Sequence, residues 1–209
     1  MLCHTFRTIF VHVPKTAGQS IEMVFLNKLN LTWHQRAPLL LRPNRDPTQG
    51  PPRLAHLYAD EYVTCGHTSA EDFAAYFKFA VVRNPWARAV SEYKFAYQPR
   101  MTFGPFLDNV VAHRRAVVEE RHIDPQRRYL AAEDGRILVD WVLRYETLAD
   151  EFLEVSRRIF GETVTLPKVN VSRDRADYRT FYDDDGRQLI ADIYRDDIET
   201  FGYQFDEGR

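Results

Sequence analysis

Apolar and polar positions along the chain follow two different periods. Short apolar runs fit buried strands at Ile9–Val13, Tyr62–Cys65, Phe79–Val82 and Ile137–Leu143, each bounded by polar or turn-forming residues. Elsewhere apolar residues recur every three or four positions. That spacing predicts helices over Ser20–Leu29, Ser69–Phe77, Pro85–Tyr97, Pro105–Val118, Leu148–Phe160 and Gly186–Glu199. Ser69, followed three residues later by Asp72, reads as a helix start, and Gly161 as a stop. This alternation predicts an α/β fold of three layers: a mostly parallel central sheet with helices on both faces. The stretch from Ala37 to Arg53 interrupts it. Pro38, Pro43, Pro47, Gly50, Pro51 and Pro52 suit neither helix nor sheet, so residues 37–53 read as a flexible or substrate-binding loop. No linker or internal repeat divides residues 1–209, which read as one domain.

Two junctions in this pattern carry chemistry. The first apolar run leads through Pro14-Lys15-Thr16-Ala17-Gly18-Gln19 into a helical pattern that starts at Ser20. Such a strand–turn–helix directs the first helical N–H groups at whatever lies in the turn, and a glycine permits close backbone approach. Lys15 adds a mobile positive charge, while Thr16 and Ser20 add hydroxyl donors. The turn reads as a phosphate or sulfate site. The second junction follows Phe79–Val82, with Arg83 at the strand's end, Asn84 at a helix N-cap position and Pro85 at the first helical position. Open α/β sheets bind ligands at the carboxyl ends of their strands. Ser91 lies about two helical turns further on, so Arg83 and Ser91 can close on one phosphate. Two anion motifs imply a ligand that carries phosphates at two places.

Composition narrows the choice. Net charge is −2, which argues against broad nucleic-acid binding. Arginine outnumbers lysine 23 to 5, and genomic base composition is sufficient to explain that. No charged-then-apolar leader and no run of about 18 apolar residues occurs. The expectation is a cytoplasmic protein without stable membrane insertion. Cys3 and Cys65 form neither a disulfide framework nor a metal-ligand pattern.

The motifs resemble a known family. His12 through Ser20 is similar to the 5′-phosphosulfate loop of sulfotransferases that use 3′-phosphoadenosine 5′-phosphosulfate (PAPS). Val82-Arg83-Asn84-Pro85 with Arg88 and Ser91 resembles their 3′-phosphate motif. Cys65-Gly66-His67, His122 with Pro125-Gln126, Arg144-Tyr145-Glu146-Thr147-Leu148, Asn170 with Ser172, and Phe201-Gly202-Tyr203 extend the likeness. The branch most resembled is that of the heparan sulfate and dermatan/chondroitin uronyl 2-O-sulfotransferases, as a compact bacterial member. The resemblance implies a P-loop-NTPase-like sulfotransferase fold and in-line transfer of a sulfuryl group from PAPS to a carbohydrate hydroxyl. Adenosine 3′,5′-bisphosphate (PAP) is the product. No metal is implied, because Lys15 and backbone N–H groups supply the positive field.

Roles follow from the resemblance residue by residue. Pro14, Lys15, Thr16, Ala17, Gly18, Gln19 and Ser20 would hold the 5′-phosphosulfate, and Arg83, Ser91, Ser172 and Arg173 the rest of the nucleotide. Lys15 would stabilise charge on the leaving phosphate. The acceptor hydroxyl needs a base, which suits histidine. His67, read as closing the strand Tyr62–Cys65, matches the histidine that serves in the 2-O-sulfotransferases, with Glu71 as the fallback. His122 and Gln126 are read as substrate contacts, His12 as structural, and Arg144-Tyr145-Glu146 as a strand–helix brace. A P-loop kinase is the first alternative, but GxxxxGK[ST] is absent and Lys15 precedes the glycine. A non-catalytic nucleotide-binding protein of the same fold is the second.

Overall fold

Runs of β-branched and aromatic residues pair where the apolar pattern placed them. In the computed structural model, which describes residues 1–98, 100–113, 120–167 and 176–206, four strands form one sheet. They are β1 (Leu2–Cys3), β2 (Thr8–Val11), β3 (Phe77–Val82) and β4 (Trp141–Arg144), in that spatial order. β1 runs antiparallel to β2, while β2, β3 and β4 are parallel, with Phe10 opposite Phe79 and Val82 opposite Arg144. The longer helices are α1 (Gly18–Lys28), α4 (Pro85–Glu92), α7 (Leu148–Phe160) and α8 (Asp184–Ile193). Shorter ones are α2 (Glu61–Thr64), α3 (Ala70–Ala75), α5 (Phe103–Phe106), α6 (Gln126–Leu130) and α9 (Arg195–Phe201).

The period of two in the strands sends alternate residues to opposite cores. Phe10, Phe79, Val81 and Leu143 pack against Ile21 and Phe25 of α1 and Phe152 and Val155 of α7. Ile9, Val11, Ala80 and Val82 pack on the other side with Leu54, Tyr62, Tyr129, Leu130 and Tyr203. Burial on both faces explains why β2 and β3 read as continuous apolar runs. A third core joins Trp86, Val90, Tyr93 and Tyr97 to Phe103, Phe106, Ile190 and Tyr194.

Several elements differ from expectation. Tyr62–Cys65 is not a strand; it falls in and just after the helical turn α2. A four-residue segment with three apolar residues does not distinguish strand from helix, and tertiary contacts decide. Glu61 takes both guanidinium ends of Arg121 at 2.5 and 2.7 Å. Tyr62 is fully buried and donates its hydroxyl to the Phe10 carbonyl at 3.2 Å. The fourth strand starts at Trp141 rather than Ile137, which makes only an isolated bridge to Ala131. The helix predicted over Pro85–Tyr97 changes from α to π geometry at Tyr93, and that over Pro105–Val118 starts at Phe103 and becomes π over Leu107–Val111. Residues 114–118 lie outside the described residues. The helix predicted over Gly186–Glu199 divides at Tyr194, whose hydroxyl donates to the Ile123 carbonyl.

In the Pro-rich stretch, the Asn44 amide donates to the carbonyls of Asp46, Gly50 and Pro51. Pro43 bridges to Arg53 and closes the loop at its base. No described helix is long and apolar enough to cross a membrane.

Candidate active site

The turn after β2 is shaped by two left-handed residues, Lys15 (φ 71°) and Ala17 (φ 68°), with Thr16 between them. Each costs about 1 kcal/mol for a side chain other than glycine, so the surroundings must enforce the shape. They do so in three ways. Thr16 is fully buried and donates its hydroxyl to the Val13 carbonyl at 2.8 Å. Arg88, also buried, donates its Nε to the Pro14 carbonyl at 3.1 Å. Arg83 donates Nη1 to the Lys15 carbonyl at 3.2 Å. The second motif thus braces the first directly. Helix α1 then begins at Gly18 without a side-chain cap, leaving a helix terminus suited to an anion.

Three expectations change here. The Thr16 hydroxyl, read as a ligand donor, closes the turn instead. Gly18 was expected to admit a ligand, yet a Cβ there would lie 2.1 Å from His12 Nε2. The glycine makes room for an imidazole. Arg88, read with the 3′-phosphate motif, also donates to the carbonyls of His122 and Asp124 at 2.9 and 2.8 Å. It is a buried staple between two loops.

Arg83 stands one residue past β3, half-buried, with its guanidinium 4.1 Å over the exposed Tyr145 ring. Its Nε has no hydrogen-bond partner among the described residues. Burial lowers its pKa from the ordinary value, with Tyr145 and Glu146 opposing. Gln126 is fully buried, and its amide pairs with both the N–H and the carbonyl of Arg83, each at 2.8 Å. Expected to contact substrate, Gln126 instead extends the hydrogen bonding of β3 and positions Arg83. Asn84 caps α4 by accepting from the N–H groups of Trp86 and Ala87. Glu146 accepts from the Asn84 N–H at 2.8 Å, the brace expected of Arg144-Tyr145-Glu146. Ser91 is half-buried on α4, and Ser20 is buried on α1. Asn170, Ser172 and Arg173 lie outside the described residues.

The Lys15 ammonium lies 3.7 Å over the ring of Phe95, the most exposed large apolar side chain among the described residues at 59%. Burial pushes the Lys15 pKa down to about 8; Glu92 opposes this and Arg83 and Arg88 reinforce it. Arg83 and Arg88 thus outweigh Glu92 around the turn, and a bound anion would raise the Lys15 pKa again.

Behind the turn lies a cluster that single residues in the sequence did not reveal. His12 Nδ1 pairs with Glu22 at 2.6 Å, and His122 Nδ1 pairs with Glu92 at 3.0 Å. His56 fits between them, its ring centroid 5.2 Å from that of His12 and 5.0 Å from that of His122. All five side chains are buried. His56, Glu22, Glu92 and Phe95 were not anticipated. A stripe was nonetheless available, because Arg88, Glu92 and Phe95 repeat at i, i+4 and i+7. His12, expected inside the first strand, follows it and packs on Gly18.

His67 is elsewhere. The strand it was to close is α2, and its Nε2 donates to the Gln49 carbonyl of the Pro-rich loop at 2.8 Å. Helix α3, which carries Glu71, then delivers the chain to the amino end of β3, whereas Lys15 and Arg83 follow the carboxyl ends of β2 and β3.

Neither a curated protein nor a solved structure matches this chain. A family model described as the sulfotransferase family does match, over residues 1–204. That span takes in both anion motifs and the whole sheet that aligns them. The chain belongs to the sulfotransferase family and is a transferase of sulfuryl groups.

Proposed function

We propose that the protein transfers the sulfuryl group of PAPS to a hydroxyl of a carbohydrate acceptor, on a sheet of P-loop-NTPase-like arrangement. The observation that carries this reading is the hydrogen bond from Arg83 to the Lys15 carbonyl. It makes two sequence-distant anion motifs into one continuous site across adjacent parallel strands. The turn Pro14–Ser20 and the uncapped start of α1 receive the 5′-phosphosulfate through backbone N–H groups. Arg83, whose Nε has no hydrogen-bond partner among the described residues, and Ser91 receive the 3′-phosphate. Lys15 stabilises the negative charge that moves onto the leaving phosphate.

The test has two arms. PAP at millimolar concentration should raise the melting temperature without added metal, and ATP should do so less. Sulfur-35-labelled PAPS should then label members of a panel of heparosan, dermatan, dextran and 4-nitrophenol. No melting shift with PAP would refute the nucleotide assignment. Labelling of 4-nitrophenol alone would refute the carbohydrate acceptor.

A further inference from the structure

The reaction needs a group that removes the acceptor's proton, and the structure offers a different histidine from the one the sequence suggested. We infer that His122, held by Glu92, is that base; the inference rests on the sulfotransferase reading above and specifies its acceptor side.

Geometry separates the histidines. The space beside His12 Nε2 is filled by the backbone at Gly18, and its Nδ1 is tied to Glu22. His67 Nε2 faces a carbonyl, which only accepts, so that nitrogen carries the proton. His122 differs. Its Nδ1 lies 3.0 Å from Glu92, while its Nε2 is buried with no hydrogen-bond partner among the described residues. A buried ring nitrogen without a partner is costly unless something arrives to use it. With Nδ1–H donated to the Glu92 carboxylate, the Nε2 lone pair is the proton acceptor.

The surroundings fit the role. Phe95 links His122 to the transfer site: its ring stacks on the imidazole at 6.2 Å, and Lys15 Nζ lies 3.7 Å over the same ring. Glu92 is close enough to Lys15 to act on its charge, and its Oε1 is a second buried atom without a hydrogen-bond partner among the described residues. Arg88 holds the His122 carbonyl and the Pro14 carbonyl at once, fixing the histidine loop against the anion turn. An acceptor that displaces the exposed Phe95 ring meets the base and the sulfuryl group together. In the step, the acceptor O–H bond breaks with its proton passing to His122 Nε2. The oxygen forms the new O–S bond, and the old S–O bond breaks with its electron pair going to the 5′-phosphate. Glu92 holds the resulting imidazolium as a positioning residue.

The experiment compares His122→Gln, His122→Ala, Glu92→Gln and His67→Ala. Readouts are label transfer from sulfur-35 PAPS to the same panel and to water, and the melting shift with PAP. The expected result for His122→Gln is a loss of about 10²–10⁴ in kcat, with the PAP midpoint within threefold of wild type. Imidazole should partly rescue His122→Ala. Glu92→Gln should lose about tenfold in kcat with little change in KM. If the His122 variants give no PAP-responsive melt, Glu92→Gln decides, and an unchanged kcat there overturns the inference. Turnover kept in His122→Gln, or lost in His67→Ala while His122→Gln retains it, also overturns it. So does near-complete loss in Glu92→Gln beside a mild loss in His122→Gln, which would make the carboxylate the base. A wild-type protein that binds PAP but transfers to nothing refutes the base and leaves the nucleotide site standing. Absence of any PAP shift instead refutes the reading beneath it.

Discussion

The two strand–turn–helix junctions sit side by side at the carboxyl ends of parallel strands, and each presents a helix N-terminus, one uncapped and the other capped. After β2, the turn takes two left-handed residues, and α1 starts at Gly18 with Ala17 at the N-cap position and no side-chain cap. After β3, Asn84 accepts from two N–H groups of α4, and Pro85 removes a third donor. One helix keeps its N-terminal field for an anion; the other satisfies its own. On the proposed reading, contact from the second junction therefore comes from side chains, with Arg83 to supply it. One architecture would then yield a backbone anion site and a side-chain anion site on neighbouring strands.

The largest expected effect tests the open junction. Lys15→Ala should lower sulfuryl transfer by about 10³-fold, the scale seen when one preorganised donor is removed, while PAP still shifts the melt. In the wild type, kcat/KM should fall about tenfold per pH unit above about 8 as Lys15 loses its proton, and Lys15→Arg should flatten that limb. The lowered pKa also means that the unfolded chain binds more protons between about 8 and 10.5. The contribution of Lys15 to stability therefore rises with pH across that window. Falling activity there accompanied by a falling melt would implicate unfolding instead.

Next comes a contrast between two arginines. Arg88→Met leaves the carbonyls of Pro14, His122 and Asp124 without their donor. It should cost about 3 kcal/mol, or roughly 6–12 °C in melting temperature. Arg83→Ala should cost less stability but weaken PAP binding by about 10–100-fold, read by calorimetric titration. Equal effects on both readouts would erase the distinction between brace and ligand contact.

The smallest effect tests the closed junction. Asn84→Ala removes the α4 cap and should lower stability by about 1 kcal/mol, or roughly 2–4 °C. PAP affinity should stay within about threefold. A large loss of affinity would show that the capped terminus also meets the nucleotide.

Much of this was legible from pattern. The apolar runs located β2 and β3 because a strand buried on both faces must be apolar throughout. The sequence Asn84-Pro85 marked a helix start because cap chemistry is local. Tyr62–Cys65 misled because a four-residue segment with three apolar residues satisfies either period, and the choice rested on Arg121 and Phe10, both distant in sequence. His67 was preferred because its motif is contiguous. His122 and Glu92 are 30 positions apart, and nothing local announces their pairing.

By itself, the sequence determined β2, β3 and the helix start at Asn84-Pro85, since capping and periodicity depend on residues within a few positions of one another. Only the tertiary structure decided what each polar side chain does. It turned Arg88 and Gln126 inward as braces and brought His12, His56 and His122 together between two glutamates. A buried polar group must find a partner wherever the fold supplies one, and those partners come from segments that sequence proximity does not connect.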